Sequence, residues 1–147
     1  MSATARLAEL GISLPPVATP AGSYVPAVRS GNLVYTSGQV PMEATKGKVG
    51  AEVSAEDAQA AARVCALQAL AAVDALVGLD SVVRVVKVVG FVASAPGFTG
   101  QPGVINGASD LLGEVFGEAG AHARSAVGVA ELPLGVPVEV ELIVEVR

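Results

Sequence analysis

Arg124 and Glu139, both near the C-terminus, are the residues whose type and setting are most suited to chemistry. From Val136 onward, apolar residues alternate with mainly charged ones, which predicts a long half-buried strand with Glu139 and Glu141 on one face. Carboxylates two residues apart on one face of a strand repel each other, so they need water or a cation, and a guanidinium would suit. Arg124 begins a preceding strand of small residues, surroundings more typical of a pocket than of a surface.

A plainer interpretation of these residues stays open. The glutamates would form a solvated strand edge, and Arg124 would join a surface ion pair contributing about 0–1 kcal/mol. His122 is the only histidine and is explained by a position in a loop or at a strand start. One histidine does not easily build a two-histidine metal site or a serine–histidine–aspartate relay within one chain.

The composition fits a single domain and excludes several kinds of function. The net charge of −5, with nine scattered Lys and Arg residues, argues against nucleic-acid binding. Neither a GxGxxG motif nor a P-loop is present, so we expect no nucleotide cofactor. Cys65 is the only cysteine, so no internal disulfide can form. We expect it to be an inert buried thiol, and a single cysteine fits a reducing cytoplasm. The sequence begins without a continuous apolar leader and contains no run of 18 apolar residues. We therefore expect neither export nor membrane insertion.

The pattern along the chain predicts an N-terminal arm (1–22) with a short amphipathic turn of helix, followed by a domain (23–147). Within the domain it predicts a β-hairpin around residues 30–32 and a helix from Ser54 to a stop at Gly78. A strand apolar on both faces (81–94), a second helix (104–116) and two strands joined by a tight connection (123–130 and 136–147) follow.

This order predicts an α+β fold, with a single mixed sheet of about six strands and two helices packed on one face. Two helices cover only one side of such a sheet. The other side is also apolar, and the sequence offers no third helix to cover it. We therefore expect a homo-oligomer whose sheets pack on one another.

Residues 22–147 resemble the RidA family of reactive intermediate deaminases (YjgF-type), which are small cytoplasmic homotrimers. The resemblance rests on three segments: GSYVPAV (22–28), GNLVYTSGQ (31–39), and ARSAVGVAELP (123–133) leading into VEVE (138–141). The last segment is the most specific, because it sets Arg124 and Glu139 fifteen residues apart.

The resemblance implies a RidA/chorismate-mutase-like trimer that hydrolyses enamines or 2-imino acids to 2-oxo acids and ammonia in clefts between subunits, without a metal or coenzyme. A planar guanidinium suits a carboxylate bidentately, and a carboxylate near the imine carbon can activate water. Carried over by position, Arg124 would bind the substrate carboxylate and Glu139, in its ionised form, would orient the water. We expect a nearby Arg124 to lower the pKa of Glu139. The residues expected to line the pocket are Tyr24, Ser37, Gly38, Asn106 and Ala126.

Departures from the family pattern bear on substrate choice. Ala126 stands where deaminases of the family often have cysteine, the 94–106 loop looks longer and richer in glycine, and Ser109-Asp-Leu-Leu replaces a segment that tends to be aromatic. Two alternatives therefore stay open: a non-catalytic trimer that binds small carboxylate metabolites, and a chaperone-like trimer. Ribonuclease activity, with which some relatives are credited, is disfavoured by the acidic composition.

Overall fold

A computed structural model describes all residues from 1 to 147. It is an α+β fold with one mixed five-stranded sheet, and three single 3-10 turns lie between the regular elements. The elements are α1 (Ala3–Glu9), β1 (Ala27–Ser30), β2 (Leu33–Thr36), α2 (Ala55–Val77), β3 (Val82–Ala93), α3 (Gln101–Phe116), β4 (Ala123–Val129) and β5 (Val138–Val146). The predicted fold class is confirmed, with five strands rather than about six. Val49 makes only isolated bridges to Val53 and Ser94, so the 41–53 segment adds no strand.

The strand order is β1-β2-β5-β3-β4. α3 is the crossover that brings β4 parallel to β3, whereas β5 runs antiparallel to both β2 and β3. The last two strands are therefore joined by a short connection but do not pair, because β3 lies between them. β4 is consequently an edge strand, and β5 lies at the centre of the sheet.

α2 and α3 cover one face of the sheet. The Ser54 side chain caps α2 by accepting a hydrogen bond from the Asp57 N–H at 3.1 Å, and Gly78 ends the helix with φ +80°. Cys65 and the alanines around it are fully buried, so α2 lies close to the strands. α2 is the only helix long and apolar enough to cross a membrane, by length and composition alone. Half of its most apolar window is buried inside the domain, as in a core helix.

α1 is a third helix, in a segment for which the sequence predicted only a short turn of helix within an arm. Its Leu7 is buried in the same core as the other helices, and Arg6 Nε donates to the Glu114 carbonyl of α3 at 2.9 Å. α1 therefore adds to the covered side, and the other face of the sheet stays open. Tyr35 and Val127 on this open face remain 41% and 44% exposed. The proposed division of the chain at residue 22 stays a prediction.

Candidate functional site

Four of the predicted site residues come together on the open face. Tyr24, Ser37, Gly38 and Glu139 line one cavity of about 590 Å³, which also touches the Pro133–Gly135 turn at Leu134. Glu139 faces this cavity because β5 alternates, with its apolar residues buried toward the helices and its carboxylates toward the open face. We call this group of four residues the Glu139 half-site.

Gly38 is needed for the position of the Glu139 carboxylate. A Cβ at residue 38 would collide with Glu139 Oε2, so any side chain there would displace the carboxylate. The next residue, Gln39, exchanges two backbone hydrogen bonds with Val140, at 2.8 and 3.1 Å, which fixes Gly38 beside β5. The N–H of Gly38 itself donates to no group of the chain. The half-site thus presents an unpartnered backbone donor next to a carboxylate.

Tyr24 and Ser37 fix the segment that leads into the sheet. The Tyr24 hydroxyl accepts a hydrogen bond from the Ala21 N–H at 3.1 Å, and Ser37 Oγ donates to the Val25 carbonyl at 2.6 Å. The hydroxyl proton of Tyr24 stays free, and the side chain is 50% exposed. A second cavity of about 210 Å³, walled by residues 18–21, adjoins the first, with Tyr24 and Gly38 common to both linings.

The Glu139 carboxylate is partly buried and has no hydrogen-bond or ion-pair partner in the chain. Its pKa is raised above the ordinary value of 4.5, first by burial and then by the charge of Glu141. This direction is the reverse of the predicted one, in which a nearby Arg124 lowers the pKa of Glu139. That expectation is wrong for the single chain, because Arg124 lies elsewhere.

Arg124 belongs to a second group, on the helix-covered side of the sheet. Its Nη1 donates to Asn106 Oδ1 at 2.8 Å and to Ser109 Oγ at 3.2 Å, and its Nη2 donates to the Pro102 carbonyl at 3.3 Å. Ala126 lies two residues along the same face of β4. We call Asn106, Arg124 and Ala126 the Arg124 half-site.

The contacts of Arg124 leave part of its guanidinium available. Three of the five N–H donors of an arginine are used, so the N–H of Nε and one N–H of Nη2 have no partner in the chain. Arg124 also makes no ion pair. Two free donors on adjacent nitrogens are what a bidentate carboxylate requires.

Ser109 and His122 support Arg124, and sequence reasoning did not identify them as part of the site. Besides contacting Arg124, Ser109 Oγ lies 2.9 Å from His122 Nε2, and His122 Nδ1 lies 2.6 Å from the Gly120 carbonyl. One signal was available in the sequence. Residues 102, 106 and 109 are spaced by four and three, so they form one stripe on α3, and this stripe faces Arg124.

A single chain keeps the two half-sites apart. Arg124 pairs with Val88, which pairs with Leu142, three residues beyond Glu139. Two strand spacings across the sheet and three residues along it each amount to roughly 10 Å. The two side chains also project from opposite faces, because Arg124 contacts α3 while Glu139 lies on the open side. Arg124 and Glu139 therefore cannot act on one small ligand within the same chain.

Metal ligation and thiol chemistry are not supported by the arrangement of the side chains. No cluster of three or more His, Cys, Asp or Glu side chains could hold a metal ion. Cys65 is fully buried, and burial raises the pKa of its thiol far above the ordinary value. That environment suits a core residue rather than a nucleophile.

By its fold the chain is a small α+β protein, and comparison with known proteins places it in a family. The model of the family described as Endoribonuclease L-PSP matches residues 16–146. Protein TCP17 of Trypanosoma cruzi is 51% identical over 149 residues, covering 97% of this chain and 93% of that protein. The 2-iminobutanoate/2-iminopropanoate deaminase of Escherichia coli (strain K12) is 34% identical over 124 residues, covering 83% of this chain and 86% of the enzyme.

A solved structure has the same fold as this chain. A protein of unknown function from Agrobacterium tumefaciens is 49% identical, with a TM-score of 0.90 and coverage of 99% of this chain and 92% of the other. The chain belongs to the Endoribonuclease L-PSP family, that is, the YjgF/RidA family. The resemblance read from the sequence is confirmed.

Proposed function

We propose that the chain forms a homotrimer that hydrolyses enamines and 2-imino acids to 2-oxo acids and ammonia, with each active site made from two subunits. The observation that carries this proposal is the separation of two complementary half-sites. One holds an unpartnered carboxylate, the other holds a guanidinium with two free donors, and they lie on opposite faces of one sheet. Each supplies what the other lacks.

The architecture favours an assembly that joins these half-sites. Joining two different surfaces of the same chain is a heterologous contact, which forms a closed ring when the rotation from one subunit to the next divides a full turn evenly. The open sheet face supplies the apolar area for this contact, and the helices leave it uncovered. Three subunits is the number that the RidA resemblance implies.

The chemistry follows from the groups present. The free N–H groups of Arg124 bind the carboxylate of the 2-imino acid in a fork. Glu139 of the other subunit takes a proton from water as the water oxygen bonds to the imine carbon and the C=N π bond opens, and the protonated Glu139 then gives that proton to the nitrogen. Glu139 next takes the hydroxyl proton of the resulting carbinolamine and passes it to the nitrogen as the C–N bond breaks, so ammonia and the 2-oxo acid leave. One water is consumed, and no electron acceptor is needed.

The raised pKa of Glu139 supports a catalytic role over simple binding. A partly buried carboxylate with no partner is costly for a fold, and groups of this kind cluster at catalytic sites. The imine deaminase name of the Escherichia coli relative supports the same choice. A cytoplasmic location belongs to this proposal, since the lone buried Cys65 suits a reducing compartment.

The test is direct. An amino-acid oxidase generates the 2-imino acid in situ, and its disappearance is timed with and without the purified chain. We expect accelerated loss with stoichiometric ammonia. Binding of 2-oxobutyrate without any acceleration would favour the non-catalytic binder. The absence of both binding and acceleration would favour the chaperone-like trimer. RNA added in parallel tests the activity in the family's description, for which the net charge of −5 gives no support.

A further inference from the structure

Ser109 and His122 form a hydrogen-bonded chain that ends at Arg124. His122 Nδ1 lies 2.6 Å from the carbonyl oxygen of Gly120, which can only accept, so Nδ1 carries a proton. A neutral ring then has its lone pair on Nε2. Nε2 lies 2.9 Å from Ser109 Oγ, so the serine hydroxyl donates its only proton to the histidine.

This fixes how Ser109 meets Arg124. With its proton directed at His122, Ser109 Oγ presents only lone pairs to the guanidinium, and it accepts from Nη1 at 3.2 Å. Asn106 Oδ1 accepts from the same nitrogen at 2.8 Å. Both hydrogens of Nη1 are therefore occupied, and this sets the plane of the guanidinium. The two remaining N–H groups, on Nε and Nη2, are then held in a fixed plane.

The geometry points to Ser109 and His122 as positioning residues that hold Arg124 in the orientation for binding a substrate carboxylate. Neither residue contacts the substrate in this scheme, so each acts through Arg124. The inference rests on the proposed function for its kinetic readout, but the hydrogen-bonded chain can be tested without turnover.

The tautomer of His122 gives the first test. Because His122 is the only histidine, its ring nitrogen signals in a ¹H–¹⁵N correlation spectrum need no assignment. We expect the proton on Nδ1 and an unprotonated Nε2 whose signal moves when Ser109 is replaced by alanine. A proton on Nε2, or a signal indifferent to Ser109→Ala, overturns the inference.

Kinetics with substitutions give the second test. Ser109→Ala and His122→Ala should each raise the KM for a 2-imino acid, and the Kd for 2-oxobutyrate by calorimetry, by about five- to tenfold, the effect of weakening a charge-assisted hydrogen bond. The kcat should stay within about twofold, because a carboxylate contact is made equally in the ground and transition states. An imine that lacks a carboxylate should have the same KM with the wild type and with both alanine variants.

A conservative variant separates positioning from packing. The Oε1 of glutamine can take the place of Nε2 as the acceptor for the Ser109 hydroxyl, so His122→Gln should restore the wild-type KM while His122→Ala does not. Ser13→Ala, at an exposed serine without a side-chain hydrogen bond, is the matched control for Ser109→Ala. A glutamine variant no better than the alanine variant overturns the inference.

Different results would refute the proposed function and the positioning role of Ser109 and His122. A wild-type chain that binds 2-oxobutyrate but leaves imino acids untouched refutes the proposed function, while a five- to tenfold weaker binding in Ser109→Ala still supports the positioning role. A wild-type chain that hydrolyses imino acids, with KM unchanged in both alanine variants, refutes only the positioning role. A chain that neither binds nor hydrolyses refutes both.

Discussion

Replacing Glu139 by glutamine removes the proposed base and leaves the rest of the half-site intact. The side chain keeps its size, and because the carboxylate has no hydrogen-bond or ion-pair partner, no contact within the chain is lost. Loss of one general base costs about 10²–10⁴ in rate, or about 2.7–5.4 kcal/mol of transition-state stabilisation. We therefore expect kcat for 2-imino acid hydrolysis to fall by that factor, with 2-oxobutyrate still bound.

Glu141→Gln is the matched control, because Glu141 lies two residues along the same face of β5 but lines neither cavity of the Glu139 half-site. Its rate at neutral pH should stay within about twofold of the wild type. Its effect should instead appear in the pH profile, since the charge of Glu141 helps to raise the pKa of Glu139.

The sign of the pH dependence follows from that shift. Glu139 acts as a base only when ionised, so kcat/KM falls as the pH drops below its pKa. Burial and Glu141 raise this pKa within the chain, and subunit contact buries Glu139 further, whereas the Arg124 of the other subunit acts in the opposite direction. We expect the first two causes to dominate, so the acid limb should lie above pH 4.5, the ordinary value. Removing the Glu141 charge should move the limb to lower pH. The assay times imino acid loss from pH 4 to pH 8 for each variant.

Three outcomes would refute the assignment of Glu139. One is an acid limb unchanged in Glu139→Gln, another is full activity in that variant, and the third is loss of turnover in Glu141→Gln instead. The last would mean that the catalytic carboxylate is the next one on this face of β5.

Two further substitutions and one measurement of mass test other parts of the proposal. Arg124→Lys keeps the charge but loses the fork, so calorimetry should show 2-oxo acid binding weakened by about 1–3 kcal/mol; unchanged affinity would show that Arg124 binds no carboxylate. Light scattering at micromolar concentration should give three times the chain mass of 14.6 kDa, and a stable monomer would contradict assembly. Gly38→Ala should abolish turnover with an unchanged circular dichroism spectrum, because its Cβ displaces the Glu139 carboxylate, and retained activity would show that this close approach is dispensable.

Local patterns along the sequence predicted most of the elements. α2 was found between Ser54 and Gly78 because capping is a short-range effect, and the structure places its ends at the same residues. α3 begins at Gln101, three residues before the predicted start, because Pro102 is compatible with the first turn of a helix. The alternation of β5 also identified which of its residues face the open side.

Other features could not be predicted from local patterns in the sequence. Alternation says which residues share a face but not which strand lies alongside, so the insertion of β3 between β4 and β5 could not be predicted. The packing of Leu7 into the core depends on contacts with distant residues in the same way. The direction of the pKa shift of Glu139 within the chain was also predicted wrongly, since the prediction rested on Arg124, which lies on the other face of the sheet.

The sequence by itself determined the fold class, the family, and the two residues proposed to carry the chemistry, because these depend on periodicity and on short motifs. Only the tertiary structure decided that Arg124 and Glu139 occupy opposite faces of the sheet, and that Ser109 and His122 stand behind the arginine. The physical reason is that a spacing of fifteen residues fixes no distance in space. The distance between these side chains depends on strand order and on the face each side chain takes, and both are set by packing between remote segments.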